Sequence, residues 1–299
     1  MNVLVIGGSG FIGSHVADTL TDAGHQVTIF DIRPSQYLCK DQRFVLGDML
    51  NRDDIAQAIS NQDVVYHFAG ITDLEAGLRD PIGTVEQNIL GTVITLEASL
   101  RERIKRYVYA SSVYVYGQVG GFYRCSKQAA ELYIEMYQKE FGLPYTILRY
   151  GSLYGPRADE NNAVRRYLTQ ALLDGKVMCP GDGEEVREYI HVEDAARSSV
   201  EVLAPEFENQ CVVLSGYQPM KVRELFEMIQ EILNRKIDVV FRSPDASVHY
   251  KRTPYNFRPN IGKKFVSKHY LDLGEGLLAC LNEIYEKEKD RLAIERFKL

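Results

Sequence analysis

Apolar and polar positions divide this chain into short hydrophobic runs separated by amphipathic stretches, with turn residues at the joins. Residues 3–6 (VLVI) form a continuous apolar run of strand length, the pattern of a strand buried on both faces. Glycines follow at 7, 10 and 13, then a helical apolar period closed by Gly24, then a second apolar run that ends in Asp31. The alternation continues with strands at 44–46 and 64–68 around a helix at 55–59. A long helix at 84–103, a strand at 107–111, a helix beginning near Tyr123 and a strand at 145–148 come next. Strands regularly separated by helices predict an α/β fold, a doubly wound parallel sheet whose ligand lies beyond the carboxyl ends of its strands.

Beyond Gly151 the pattern loosens. Residues 180–185 (PGDGEE) read as a turn, helices are predicted at 222–234 and 273–296, and the run ending VVLSG at Gly216 is expected to rejoin the main sheet. The predicted organisation is a nucleotide-binding domain of residues 1–152 and about 186–216, with a smaller, discontinuous C-terminal lobe of about 153–185 and 217–299. The helices at 84–103 and 123–141 carry Ile94, Leu132 and Tyr133, apolar positions that either cover the sheet or meet a second copy of the chain.

The first thirty-one residues carry specific chemistry. Gly7 permits a tight turn, Gly10 lets backbone N–H groups approach a pyrophosphate, and Gly13 lets the helix pack close to the strand. The helix N-terminus then faces phosphate charge. Asp31 stands where a carboxylate accepts hydrogen bonds from a ribose and repels a 2′-phosphate, which favours NAD over NADP; Arg33 weakens that preference.

Charge and composition narrow the partners. A net charge of −6 without a long basic run argues against nucleic acid, and no apolar stretch is long enough for a membrane span. With the chain entering a strand directly, a cytoplasmic protein is expected. Its five cysteines are scattered, without metal spacing, and read as reduced thiols; no metal site is expected. His67 and His191 read as packed or hydrogen-bonded core residues.

Tyr123 and Lys127 share one helix face, and an ammonium beside a phenol favours the phenolate and lowers its pKa. Such a tyrosine exchanges a proton with a hydroxyl or carbonyl, and Ser112, just after a strand, reaches the same oxygen. The Tyr-x-x-x-Lys spacing also occurs at Tyr217/Lys221 and Tyr285/Lys289, so position after the strand, not spacing, selects Tyr123/Lys127.

Several motifs stand in order: GGSGFIG at 7–13, GDM at 47–49, HFAG at 67–70, NILGT at 88–92, SSVYVYG at 111–117, YRCSK at 123–127, RYGSLYGPR at 149–157 and REYIHVEDAA at 187–196. With them the chain resembles, over nearly its whole length, the extended short-chain dehydrogenases/reductases of the nucleotide-sugar epimerase and dehydratase group. The resemblance implies a Rossmann fold, NAD, a nucleotide-sugar substrate and a homodimer. It implies cofactor contacts from Gly7, Gly10, Phe11, Ile12, Gly13, Asp31, Asp48, Met49, Phe68, Ala69, Asn88, Tyr123, Lys127 and Tyr150. Asp48 and Met49 would face adenine, Ala69 would line the cleft, and Asn88 would hold the cofactor-side architecture. Ser112, Tyr123 and Lys127 would be catalytic. Arg187 matches the family's diphosphate-region arginine, and Ser152 and Arg258 are further candidate substrate contacts.

Within the group, 4,6-dehydratases carry Asp-Glu after the catalytic serine or threonine, because eliminating water needs an acid and a base. This chain has Val113 and Tyr114 there, and it lacks the decarboxylase glutamate. What remains suffices for reversible oxidation of one alcohol, and the reading is an epimerase inverting C4 of a UDP-hexose through a 4-keto intermediate. The alternatives are a nucleotide-sugar dehydrogenase or 4-keto reductase, then a 4,6-dehydratase or a non-catalytic NAD-binding scaffold. Two departures from the family stand out. The link from Ser112 to Tyr123 lacks the usual Pro-rich loop, which is expected to leave the sugar site more open or to alter its lid, and Ser152 replaces an asparagine common among epimerases.

Overall fold

The computed structural model describes residues 1–242, 250–254, 263–265 and 270–296, with side chains as far as Lys289. The first half runs β1 (Asn2–Ile6), α1 (Phe11–Asp22), β2 (Gln26–Asp31), β3 (Gln42–Leu46), α2 (Arg52–Ile59) and β4 (Val64–His67). After it come the short helices α3 (Leu74–Arg79) and α4 (Pro81–Val85), then α5 (Gly91–Arg101), β5 (Arg106–Ser112), α6 (Gly121–Phe141) and β6 (Tyr145–Tyr150). The remainder is β7 (Ser152–Tyr154), α7 (Ala163–Leu173), β8 (Lys176–Pro180), β9 (Val186–His191), α8 (Val192–Glu201), β10 (Gln210–Leu214), β11 (Pro219–Lys221), α9 (Val222–Leu233), β12 (Asp238–Arg242), β13 (Lys263–Lys264) and α10 (Leu273–Arg296).

Eight parallel strands form the main sheet in the order β13-β10-β6-β5-β4-β1-β2-β3. The winding reverses between β1 and β4, and such a reversal opens a crevice at the carboxyl ends of the strands. Alternation along β1 serves both faces, since successive side chains of a strand point oppositely. Leu4 and Ile6 join a core with Leu96, Tyr109, Ala130 and Ile134, while Val3 and Val5 join another with Val16, Leu20 and Ala195.

A third core, of Tyr154, Leu168, Val177, Leu225, Phe226, Leu277 and Ile284 among others, unites α7, α9 and α10 with the strands beside them. There β7, β9 and β11 form a three-stranded sheet, and β8 pairs with β12. The run ending at Gly216 does return to the main sheet as β10, beside β6. Residues 186–191 instead lie in the three-stranded sheet, and β13 brings residues 263–264 to the edge of the main one.

The helix expected at 84–103 is interrupted. α4 begins at Pro81, a π-helical turn occupies Glu86–Leu90, and regular α-helix resumes at Gly91. The cause lies in contacts from other segments: Asn88 is buried, and its amide is tied to the backbone of Ile71 and to Ser126, which holds the extra residue inward. The strand expected at 64–68 ends at His67. Ile94 belongs to the monomer core at 7% exposure, whereas Leu132 at 65% and Tyr133 at 47% face outward from α6. Among the described residues no helix is long and apolar enough to cross a membrane.

Candidate active site

The glycine turn after β1 lies at the sheet's winding reversal. Gly7 has φ +80°, and a Cβ there would stand 2.5 Å from the Ala69 amide nitrogen; on Gly13 it would stand 2.3 Å from the Gly7 carbonyl oxygen. Both positions therefore require glycine. Gly10 is the N-cap of α1 and no side chain caps this helix, so Phe11, Ile12 and Gly13 present their end of it uncovered. Uncapped N–H groups and the positive end of the helix dipole suit a phosphate. Asp31 closes β2 nearby, its carboxylate accepting from the Ser9 amide at 3.0 Å and the Arg33 amide at 3.2 Å. This cradle fits a dinucleotide.

The other expected cofactor positions line the same end of the sheet or support it. Asp48 accepts from the Leu50 amide, and Met49 is buried against Gly91. Ala69 covers Gly7, while Phe68 stacks on Tyr66 at 6.1 Å and meets the ring of Tyr150 at 6.4 Å. Tyr150 is buried, with its hydroxyl 2.6 Å from that of Ser199 on α8. Asn88 binds both backbone groups of Ile71, so it braces the loop after β4.

Ser112 ends β5, Tyr123 stands in the first turn of α6, and Lys127 follows one turn later; all three are buried. Burial pushes the Tyr123 phenol up to about 12, with a hydrogen bond from Ser112 pulling the other way. Burial lowers Lys127 to about 8, and the negative charge of Glu131 one turn on opposes that. In this arrangement burial outweighs any lowering of the Tyr123 phenol by Lys127. Its Nζ donates to the Ala110 carbonyl at 2.8 Å and to the Tyr109 hydroxyl at 3.2 Å, and lies 5.9 Å from the Tyr123 ring centre. Desolvation dominates because the ammonium is directed at β5.

Beneath this group Arg149 of β6 makes a bidentate pair with Glu131 of α6, at 3.0 and 2.6 Å. Glu131 also accepts from Ser111 at 2.5 Å, and Arg149 donates to the Tyr116 hydroxyl at 2.7 Å. His67 is a core residue, its Nδ1 beside the Tyr107 and Thr95 hydroxyls, and burial lowers it to about 3. His191 is buried as the N-cap of α8.

The short link is compact. Residues 113–116 form one 3-10 turn, and Gly120 and Gly121 both take positive φ. A Cβ on Gly120 would lie 2.7 Å from the Tyr114 ring, so this glycine lets the ring fold back toward α6. Tyr114 meets Tyr123 at 6.1 Å and Tyr250, from the second half of the chain, at 4.9 Å between ring centres. Arg187 lies 4.4 Å above the Tyr250 ring, and the Ser152 hydroxyl is 3.2 Å from the Tyr250 hydroxyl. Ser152 and Arg187 thus reach the same corner, and Arg258 lies outside the described residues. Sequence reasoning missed Tyr109, Tyr114 and Tyr250 as site residues. Tyr114 was visible only as the absence of an acid, and Tyr250 sits in no motif.

Fold and site together define the class, an extended short-chain dehydrogenase/reductase. The chain belongs to the NAD dependent epimerase/dehydratase family, whose model matches residues 3–211. It is 28% identical to an uncharacterized UDP-glucose epimerase of Bacillus subtilis, over 96% of this chain and 100% of that one. It is 28% identical to a dTDP-glucose 4,6-dehydratase of Streptomyces niveus, over 83% and 82%. The structure of UDP-glucuronic acid 4-epimerase from Bacillus cereus, in complex with UDP-glucuronic acid and NAD, superposes with a TM-score of 0.85. That match has 25% identity and covers 96% of this chain and 100% of the other.

Proposed function

We propose that the protein is an NAD-dependent nucleotide-sugar epimerase that inverts C4 of a UDP-hexose through a transient 4-keto intermediate. One observation carries the choice within the family. Ser112 and Tyr123 meet at the end of β5, while the two positions that would hold a dehydratase's acid pair are a buried valine, Val113, and the aromatic Tyr114. Among the described residues the site has a proton-transfer group for one alcohol and no acid pair in the positions after Ser112.

The glycine turn, the start of α1 and Asp31 would hold the cofactor, with Asp48, Met49, Phe68, Ala69, Asn88 and Tyr150 forming or bracing its cleft. NAD, when bound, supplies the hydride acceptor. Ser112 holds the sugar oxygen by a hydrogen bond. Tyr123 is a phenol in the present arrangement, ready to donate to a ketone oxygen, and becomes a proton acceptor when positive charge is brought to its oxygen. Lys127, on the same face of α6, is the chain's own source of that charge. Arg187 and Ser152 serve the diphosphate and sugar.

Tyr123→Phe removes the proton-transfer group and keeps the ring. Turnover should fall by about 10²-fold or more while NAD content stays that of the wild type. Interconversion of UDP-glucose and UDP-galactose, followed by NMR, together with the nucleotide released on denaturation, checks both. A closed redox cycle needs no cofactor exchange, so near-stoichiometric nucleotide in the purified protein supports an epimerase. An empty protein that requires added NAD or NADH in stoichiometric amounts would point to the dehydrogenase or reductase reading. The outward α6 face bearing Leu132, Tyr133 and Met136 supports a homodimer as the working unit.

A further inference from the structure

We infer that Tyr250 is a positioning residue for the substrate, holding the Arg187 guanidinium in place for an anionic diphosphate and closing the site that the short Ser112–Tyr123 link leaves. The inference rests on the nucleotide-sugar reading above.

Four contacts carry it. The Arg187 guanidinium lies 4.4 Å above the Tyr250 ring. Among the described residues no carboxylate pairs with Arg187, whose one hydrogen bond runs to the adjacent Val186 carbonyl. A guanidinium seated over an aromatic face gains from the cation–π contact without occupying its N–H donors, and its planar fork matches two phosphate oxygens. The ring itself is fixed on both sides, by Ser152 at its hydroxyl (3.2 Å) and by Tyr114 at 4.9 Å, and Tyr250 is only 7% exposed. Tyr114 continues the contact to catalytic Tyr123, so the aromatic wall runs without a break from the reacting end of the site to the cation.

The same arrangement accounts for both departures from the family pattern. A serine at position 152 has less reach than an asparagine, and here its hydroxyl meets a phenol that extends from the other half of the chain. The compact link offers no long loop to cover the sugar, and the 250–254 segment packs on it instead. A Cβ on Gly117 would stand 3.6 Å from Pro254, and Tyr250 shares an apolar cluster with Val113, Val115 and Tyr116. Ordering Arg187 before a ligand arrives lowers the entropy cost of binding it.

The test is titration calorimetry of NAD-loaded protein with UDP as the probe, on wild type, Tyr250→Leu and Tyr250→Phe. Leucine keeps an apolar bulk for folding and removes the ring face; phenylalanine keeps the face and removes the hydroxyl. Tyr250→Leu should weaken UDP binding about tenfold. Its KM for the UDP-sugar should rise in step, with kcat within about twofold and NAD content unchanged. Tyr250→Phe should bind UDP nearly as the wild type does. In an Arg187→Ala background, Tyr250→Leu should add no further loss, because the ring acts through the guanidinium. Unchanged UDP affinity in Tyr250→Leu overturns the inference, as does an equal loss in Tyr250→Phe, an additive double variant, or a loss of NAD content that tracks the loss of UDP. A wild-type protein that binds NAD but no UDP overturns the nucleotide-sugar reading itself.

Discussion

A lysine inside a protein is costly unless its ammonium is well bonded, and Lys127, at 2% exposure, has two acceptors on β5. Its pKa nevertheless falls from 10.5 to about 8, so the fold holds that proton less firmly than the unfolded chain does. Where the unfolded chain binds more protons, stability rises with pH, and for this group the window runs from about 8 to 10.5. Below it the full cost of a buried charge is present. Lys127→Met is expected to raise Tm at pH 7 by about 2–4 °C, with the gain shrinking toward pH 10 and turnover lost. Thermal unfolding at both pH values checks this, and a variant less stable than wild type at pH 7 would mean that the acceptors on β5 outweigh desolvation. Sequence alone placed Ser112, Tyr123 and Lys127 together, because helical spacing and strand order determine that. The direction in which Nζ points was not legible, since it depends on Tyr109 and on the depth of burial.

At the scale of elements, the Glu131–Arg149 pair ties α6 to β6 and, through Ser111 and Tyr116, to the end of β5 and the turn beyond it. Both side chains are under 10% exposed, so removing one strands the other. Glu131→Ala is expected to cost about 3–5 kcal/mol in urea unfolding, and Glu131→Leu with Arg149→Met much less than that. A loss below about 1 kcal/mol in the single variant would show that water reaches Arg149. Strand and helix order came through in the apolar pattern because each element buries a regular face. The π-helical turn did not, since it depends on Asn88 reaching Ile71 and Ser126 across space. The compactness of the Ser112–Tyr123 link escaped for the same reason: two glycines at positive φ and a partner from residue 250 decide it.

Considered whole, the molecule has a core on each face of its sheet and a third among α7, α9 and α10. The α6 surface remains apolar, with Leu132 and Met136 at 65% and 49% exposure. Leu132→Glu should convert the proposed dimer to a monomer, seen by sedimentation, with Tm lowered only through lost association. A wild-type protein that sediments as a monomer at micromolar concentration would remove the dimer from the proposal. The doubly wound sheet was legible because most of its parallel strands carry an apolar run, such as VLVI in β1 and CVVL in β10. In the second half the helices, the turn at 180–185 and the return of β10 to the main sheet were legible, but the small sheets were not, because they join segments far apart in the chain.

The strand order sets a schedule for synthesis. Seven of the eight main-sheet strands, all but β13, lie before residue 215, whereas the third core needs Leu277, Cys280, Leu281 and Ile284 near the end of the chain. Domains form as their residues emerge from the ribosome. The glycine cradle is therefore expected to form while the lobe that bears on Arg187 is still being made, so that a growing chain would gain its proposed grip on NAD before it has anywhere to put a sugar.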